Sequence, residues 1–209
     1  MSTLDDLIKQ FERFPGVGAR QARRFAWHLM ALPETDSQTI SNLIAELPRS
    51  VTTCHSCYRF FTNRYNQGTT CDICSDPNRD RSKLLVVATD NDIPAIERSG
   101  VYTGLYFVLG GTVPLLSEPE NKRLRANTLK ETVQQRQTDQ NLNEIILGFP
   151  VNPDGENTAR FVRSKLDTLP DRTKIQVVEL GRGLSTGSEL EYADSDTIKH
   201  ALLHRTERT

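Results

Sequence analysis

The sequence predicts an α/β fold built around a mostly parallel sheet of about a hundred residues, with small modules before it and a short helical tail after it. Three observations carry this expectation. From Leu84 onward, apolar runs of strand length alternate with longer helix-compatible stretches, the pattern of right-handed strand–helix–strand crossovers. All four cysteines fall into two Cys-x-x-Cys pairs, Cys54/Cys57 and Cys71/Cys74, with thirteen residues between the pairs. Ahead of them, two stretches of helical apolar spacing are joined only by Pro15-Gly16-Val17-Gly18.

Composition narrows the function classes. A chain of 209 residues with 36% hydrophobic and 25% charged content is globular and long enough for one ordinary domain plus small modules. No apolar run approaches the ~20 residues that span a bilayer. The opening residues do not read as a secretory leader, so reduced thiols and a cytoplasmic setting are expected. With a formal charge of −1, any contact with nucleic acid must come from a local basic cluster.

The first module is expected over 1–50. Leu4, Leu7, Ile8 and Phe11 repeat at helical spacing behind the caps Ser2 or Thr3, with Asp5 and Asp6 favourable in the first turn. This helix should end near Phe14, where Pro15 and Gly16 break it. Ala22, Phe25, Ala26 and Leu29 resume the stripe until Pro33, and a third helix through Ile40, Leu43, Ile44 and Leu47 should stop at Pro48. Gly16 and Gly18 let backbone approach a ligand and expose N–H groups at a helix start, where the dipole favours phosphate. Arg20, Arg23 and Arg24 follow at once. Trp27 and His28 either stack on bases or pack against the module. The stretch resembles the helix-hairpin-helix motif, whose Pro-Gly-Val-Gly hairpin grips the DNA backbone without reading bases.

The second module is expected over 51–80. A two-residue spacer lets both thiolates of a pair reach one tetrahedral ion, so Cys54, Cys57, Cys71 and Cys74 are assigned one structural Zn²⁺. Four sulfurs leave no position open for water, so the ion should hold structure without doing chemistry. His55 is a competing ligand inside the first pair. Tyr58 to Gly68 should form a short hairpin across the two pairs, with Phe60 and Phe61 either covering the metal core or stacking single strands. Asp76 to Arg81 reads as a polar linker.

The sheet is expected over 81–180. Lys83–Thr89, Leu105–Leu109, Glu144–Leu147 and Lys174–Leu180 read as strands, and stretches near Pro94–Gly100, Asn121–Gln137 and Gly155–Leu169 as helices. The loop Phe149 to Glu156 lies at the carboxyl end of a strand, where such sheets place ligands. Here the chain resembles a Toprim domain, whose enzymes bind Mg²⁺ through an acid after the first strand and an acid-x-acid pair after the third. Ala88, Pro150 and Asn152 occupy those positions, which removes the carboxylates a hard cation needs. Asp90, Asp92, Asp154 and Glu156 remain nearby. Asp154 and Glu156 either contact a partner or simply complement a helix N-terminus.

In this order the modules resemble the RecR family of bacterial recombination mediators. The stretch Leu180-Gly181-Arg182-Gly183-Leu184-Ser185-Thr186-Gly187-Ser188-Glu189-Leu190-Glu191-Tyr192-Ala193-Asp194 is very similar to the family's closing Ala-Arg-Gly-x-x-x-Gly-x-x-Leu-Glu-Tyr-x-Asp. Asp76–Ser82 and Tyr106–Gly111 also fit. The chain departs from the family between Thr112 and Gln140, which lacks its Gly-Pro-Glu turn, and at Ala88.

The resemblance implies a non-enzymatic, nucleoid-associated repair protein that binds DNA without regard to sequence. Such a protein forms dimer or tetramer rings and works with RecO-like and RecF-like partners to place RecA on gapped DNA. Gly16, Gly18, Arg20, Arg23 and Arg24 would hold the DNA, and 181–209, with its helix, would carry an oligomer contact. Lys122, Arg123, Arg125 and Lys130 either add DNA contacts inside a ring or form a solvated helix face. The competing expectations are a Toprim-type phosphoryl-transfer enzyme, a nuclease or primase-like protein using the remaining acids, and a protein-only adaptor built on the zinc module.

Overall fold

A computed structural model describes residues 2–62, 68–115, 124–170, 172–181, 195 and 197–199. It divides into two compact units, Met1–Thr52 and Thr53–Thr209. Residues 182–194 of the closing motif and most of the expected tail lie outside the described residues.

In the first unit, α1 (Thr3–Glu12) starts on a capping box: Ser2 Oγ accepts from the Asp5 amide and Asp5 Oδ2 accepts from the Ser2 amide. The cap is therefore Ser2 and not Thr3. Helix α2 (Ala19–Ala31) packs on α1, with the Phe11–Phe25 edge contact at 5.9 Å between them, and its Ala22 and Ala26 are fully buried. The aromatic pair adds a specific edge-to-face contact to the packing of the two helices.

Helix α3 (Glu34–Ser50) runs through Pro48, beyond the expected stop. Proline so close to a C-terminus removes one donor from the final turn only, a smaller loss than in mid-helix. Its stripe does not complete a core: Leu43, Ile44 and Leu47 are 59%, 62% and 55% exposed.

After α3 come β1 (Val51–Thr53) and β2 (Phe60–Thr62), which pair as a two-stranded sheet on either side of the first cysteine pair. Among the described residues these paired strands enclose the first cysteine pair; residues 63–67 of the expected hairpin lie outside the described residues. The second pair sits on the one-turn helix α4 (Asp72–Ser75).

Then come β3 (Asp80–Val87), α5 (Ile93–Ser99), β4 (Gly104–Val108), α6 (Ala126–Gln140), β5 (Glu144–Gly148), α7 (Pro153–Leu166) and β6 (Gln176–Glu179). Strand order is β4-β3-β5-β6 and every pairing is parallel. The expected linker is shorter than 76–81, because β3 already starts at Asp80, with a register irregularity before Leu84.

Alternation along β3 assigns the two faces of this sheet. Leu84 and Val86 join Phe107, Leu129, Val133, Val162 and Leu166 in a core formed with α6 and α7. Leu85 and Val87 join Tyr106, Val108, Ile93 and all four cysteines in a second core. A parallel sheet must be covered on both faces, and here the cysteine module, with α5, covers one of them.

Candidate metal centre and nucleic-acid interface

All four cysteine side chains are buried, and their sulfurs lie within 4.8 Å of one another. Tetrahedral metal–sulfur bonds of about 2.3 Å give sulfur–sulfur edges of about 3.8 Å; Cys57 Sγ and Cys71 Sγ are 3.6 Å apart. No disulfide joins them. The Cys71 amide donates to Cys54 Sγ at 3.3 Å, so the second pair's backbone already supports a sulfur of the first.

Hydrogen bonds from the other three thiols push the Cys54 thiol far down, while Cys57, on the donating side, is pushed up. Four sulfurs this close repel one another as thiolates and so retain protons until a soft divalent ion displaces them. The residues therefore fit a structural zinc centre of four thiolates. His55 is exposed, and the group that can hold an ion consists of the four cysteines without it.

The module is bolted to the sheet by backbone groups. Val108, at the end of edge strand β4, donates its amide to the Cys57 carbonyl at 2.8 Å. The Phe60 amide donates to Asp90 Oδ1 at 2.6 Å. The Tyr58 ring lies 5.2 Å from Phe107, and the Arg125 guanidinium stands over it at 5.6 Å. Arg125 also donates to the Val108 carbonyl, so it is committed to the fold; Lys122 and Arg123 lie outside the described residues. Of the two phenylalanines, Phe61 packs against the second core while Phe60 is 59% exposed.

The helical hairpin has a different character. Gly16 adopts φ +76°, a left-handed conformation that side chains disfavour, and the Val17 amide closes the turn on the Phe14 carbonyl at 3.1 Å. Gly18 is the N-cap of α2, and no side chain caps that helix. Its first amides are left for solvent or an anion. Arg20, Arg23 and Arg24 are exposed, and among the described residues no acid pairs with them. With Trp27, which is 65% exposed, and His28 they line an open concavity of about 590 Å³.

At the carboxyl edge of the large sheet the remaining acids are occupied. Asp90 holds Phe60, and Asp92 Oδ2 accepts from the Thr89 amide at 2.8 Å. Asp154 Oδ1 accepts from the Leu115 amide at 3.0 Å. Asn152 caps α7 by accepting from the Gly155 amide at 2.8 Å. The Ala88 carbonyl takes the Gly110 and Gly111 amides at 3.0 and 2.8 Å. Glu156 is exposed. Among the described residues, the cysteines form the one group of three or more metal-capable side chains. These donors do not fit a Mg²⁺ site, which needs convergent carboxylate oxygens.

The sequence carries no signal for the anchoring by Asp90 or for the Asn157 and Thr158 contacts that hold residues 113–114. Each joins residues at least thirty positions apart, for which no local pattern exists.

Comparison with known proteins adds independent findings. Three family models match: "RecR, helix-hairpin-helix" over residues 4–47, "Toprim domain" over 82–179 and "RecR, C-terminal" over 183–206. The chain is 36% identical to the Recombination protein RecR of Rubrobacter xylanophilus, covering 98% of this chain and 96% of that protein. It is 34% identical to that of Lactobacillus helveticus and 35% identical to that of Gloeothece citriformis, covering 96% of this chain and 94% of each relative. With a helix-hairpin-helix, a buried four-cysteine cluster and a parallel Toprim sheet in this chain, and relatives named Recombination protein RecR matched over almost their whole length, the chain belongs to the RecR family.

Proposed function

We propose that this chain is a non-catalytic mediator of recombinational DNA repair that grips the sugar-phosphate backbone without reading sequence. In this role it cooperates with RecO-like and RecF-like proteins in loading RecA on gapped single-stranded DNA. The observation that carries the reading is the uncapped N-terminus of α2 beside Arg20, Arg23 and Arg24, on a motif matched by the family's helix-hairpin-helix model. Gly16 and Gly18 shape the turn, the first amides of α2 meet a phosphate, and the arginines meet its neighbours.

A few cations per chain give weak binding, so several copies on one DNA multiply the effective concentration. The exposed Leu43, Ile44 and Leu47 stripe of α3 is the kind of surface a second copy covers, which supports self-association into a dimer or tetramer ring. The cysteine centre, with zinc bound, holds the module against the sheet. Asp154 and Glu156, on the rim of the sheet, are proposed partner contacts. Among the described residues no helix is long and apolar enough to cross a membrane, in keeping with a nucleoid-associated role in the cytoplasm.

The test is RecA assembly on gapped DNA coated with single-strand-binding protein, with a RecO-like partner supplied. Addition of the chain should speed assembly, and the Arg20→Ala, Arg23→Ala double variant should not. Mg²⁺-dependent strand cleavage by the pure protein, abolished by Glu156→Gln, would replace this reading with an enzymatic one.

A further inference from the structure

Helix α6 turns Leu129 and Val133 into the first core, and Arg136, one turn on, lies on the same side and is only 4% exposed. A guanidinium stays protonated in a protein, so this is a buried permanent cation. Among the described residues no carboxylate pairs with it. Its Nη2 donates to the Ser56 carbonyl at 2.8 Å and to Ser56 Oγ at 2.9 Å, while Nη1 is buried with no partner.

Ser56 stands inside Cys54-His55-Ser56-Cys57, so the cation is seated on the first ligand pair. Burial works against its charge, and the groups that favour the charge most are Cys74, Cys57 and Cys54. A divalent ion held by four thiolates carries a formal charge of about −2. A desolvated anion of that size needs a nearby cation.

We propose that Arg136 is the counter-charge of the metal–thiolate centre, oriented through Ser56, and thereby a positioning residue for metal retention. It offsets part of the charge of the metal–thiolate centre and ties metal occupancy to the seat of α6, eighty residues away in sequence. The inference rests on the cysteines binding zinc. Metal analysis of the parent protein tests that separately, because a parent without zinc sinks the metal centre itself.

The experiment compares the full-length parent with Arg136→Gln, which keeps donors for Ser56 but loses the charge, and Arg136→Lys, which keeps the charge. Zinc affinity is read by chelator competition, and the thiolate-to-metal charge-transfer band is read after Co²⁺ substitution. The Gln variant should bind zinc about 10- to 100-fold more weakly, the Lys variant within about threefold of the parent, and only the Gln variant should shift the band.

Unchanged zinc affinity in a folded Gln variant overturns the proposal. So does equal weakening by Gln and Lys, which would leave only the geometry of the Ser56 contact. A Gln variant that fails to fold while the Lys variant folds and keeps zinc supports it. Failure of both to fold reduces Arg136 to packing and overturns it.

Discussion

Replacing Arg20, Arg23 and Arg24 together with alanine isolates the electrostatic part of DNA binding. All three are exposed on α2, and alanine is the best helix former, so the fold should survive. Each phosphate neutralised contributes about −0.9 to the slope of log K against log salt on duplex DNA, and about −0.7 on single strands. If each arginine covers one phosphate, the triple variant should flatten the slope by about 2.7 on duplex and about 2.1 on single strands.

Between about 50 and 200 mM salt the duplex figure corresponds to about a fortyfold smaller loss of affinity for the variant than for the parent. Anisotropy of a labelled oligonucleotide over a salt series measures this directly. Trp27, the single tryptophan of the chain and a member of the same concavity, gives an intrinsic fluorescence signal for occupancy. A variant that kept the parent's slope would refute the phosphate assignment. A loss that depended on oligonucleotide sequence would refute the claim of sequence-independent grip.

Other expectations concern the second unit. Cys71→Ser, or removal of zinc by a chelator, should loosen the large sheet along with the cysteine module, because Cys71 shares a core with Leu85 and Tyr106; unchanged tyrosine near-ultraviolet dichroism would contradict this. Gly155→Ala places a Cβ 1.9 Å from the Pro150 carbonyl oxygen, so α7 must shift, and a loss of about 1–3 kcal/mol is expected in urea unfolding. Glu97 accepts from Arg79 Nη1 at 2.9 Å, from Arg79 Nη2 and from the Tyr106 hydroxyl at 2.6 Å. The hydrogen bonds from Arg79 hold its pKa below the usual value. Its stabilisation is therefore complete above the unfolded carboxylate pKa of about 4.3 and fades as pH falls through the lower folded value. Glu97→Gln should cost about 2 kcal/mol at neutral pH, or about 4–8 °C of melting temperature, with the difference vanishing in acid.

Much of this chain is legible in its sequence because its strongest signals are local. Cysteine spacing defines a metal-binding turn within four residues, and glycine and proline break the backbone wherever they stand. Apolar runs such as Leu84–Val87 report strand burial regardless of what buries them. The hairpin, the four-cysteine cluster and the alternation of strands and helices need nothing beyond those rules.

What covers each surface is another matter, because burial is a relation between residues far apart in the chain. Folding was needed to make the cysteine module a cover for one sheet face, to give Asp90 and Asp154 to backbone amides, and to seat Arg136 on Ser56. Folding likewise left Phe60 exposed beside a buried Cys57 and carried α3 through Pro48. A desolvated charge or an unpaired amide is costly only once its surroundings are assembled, so no local pattern could have announced these pairings.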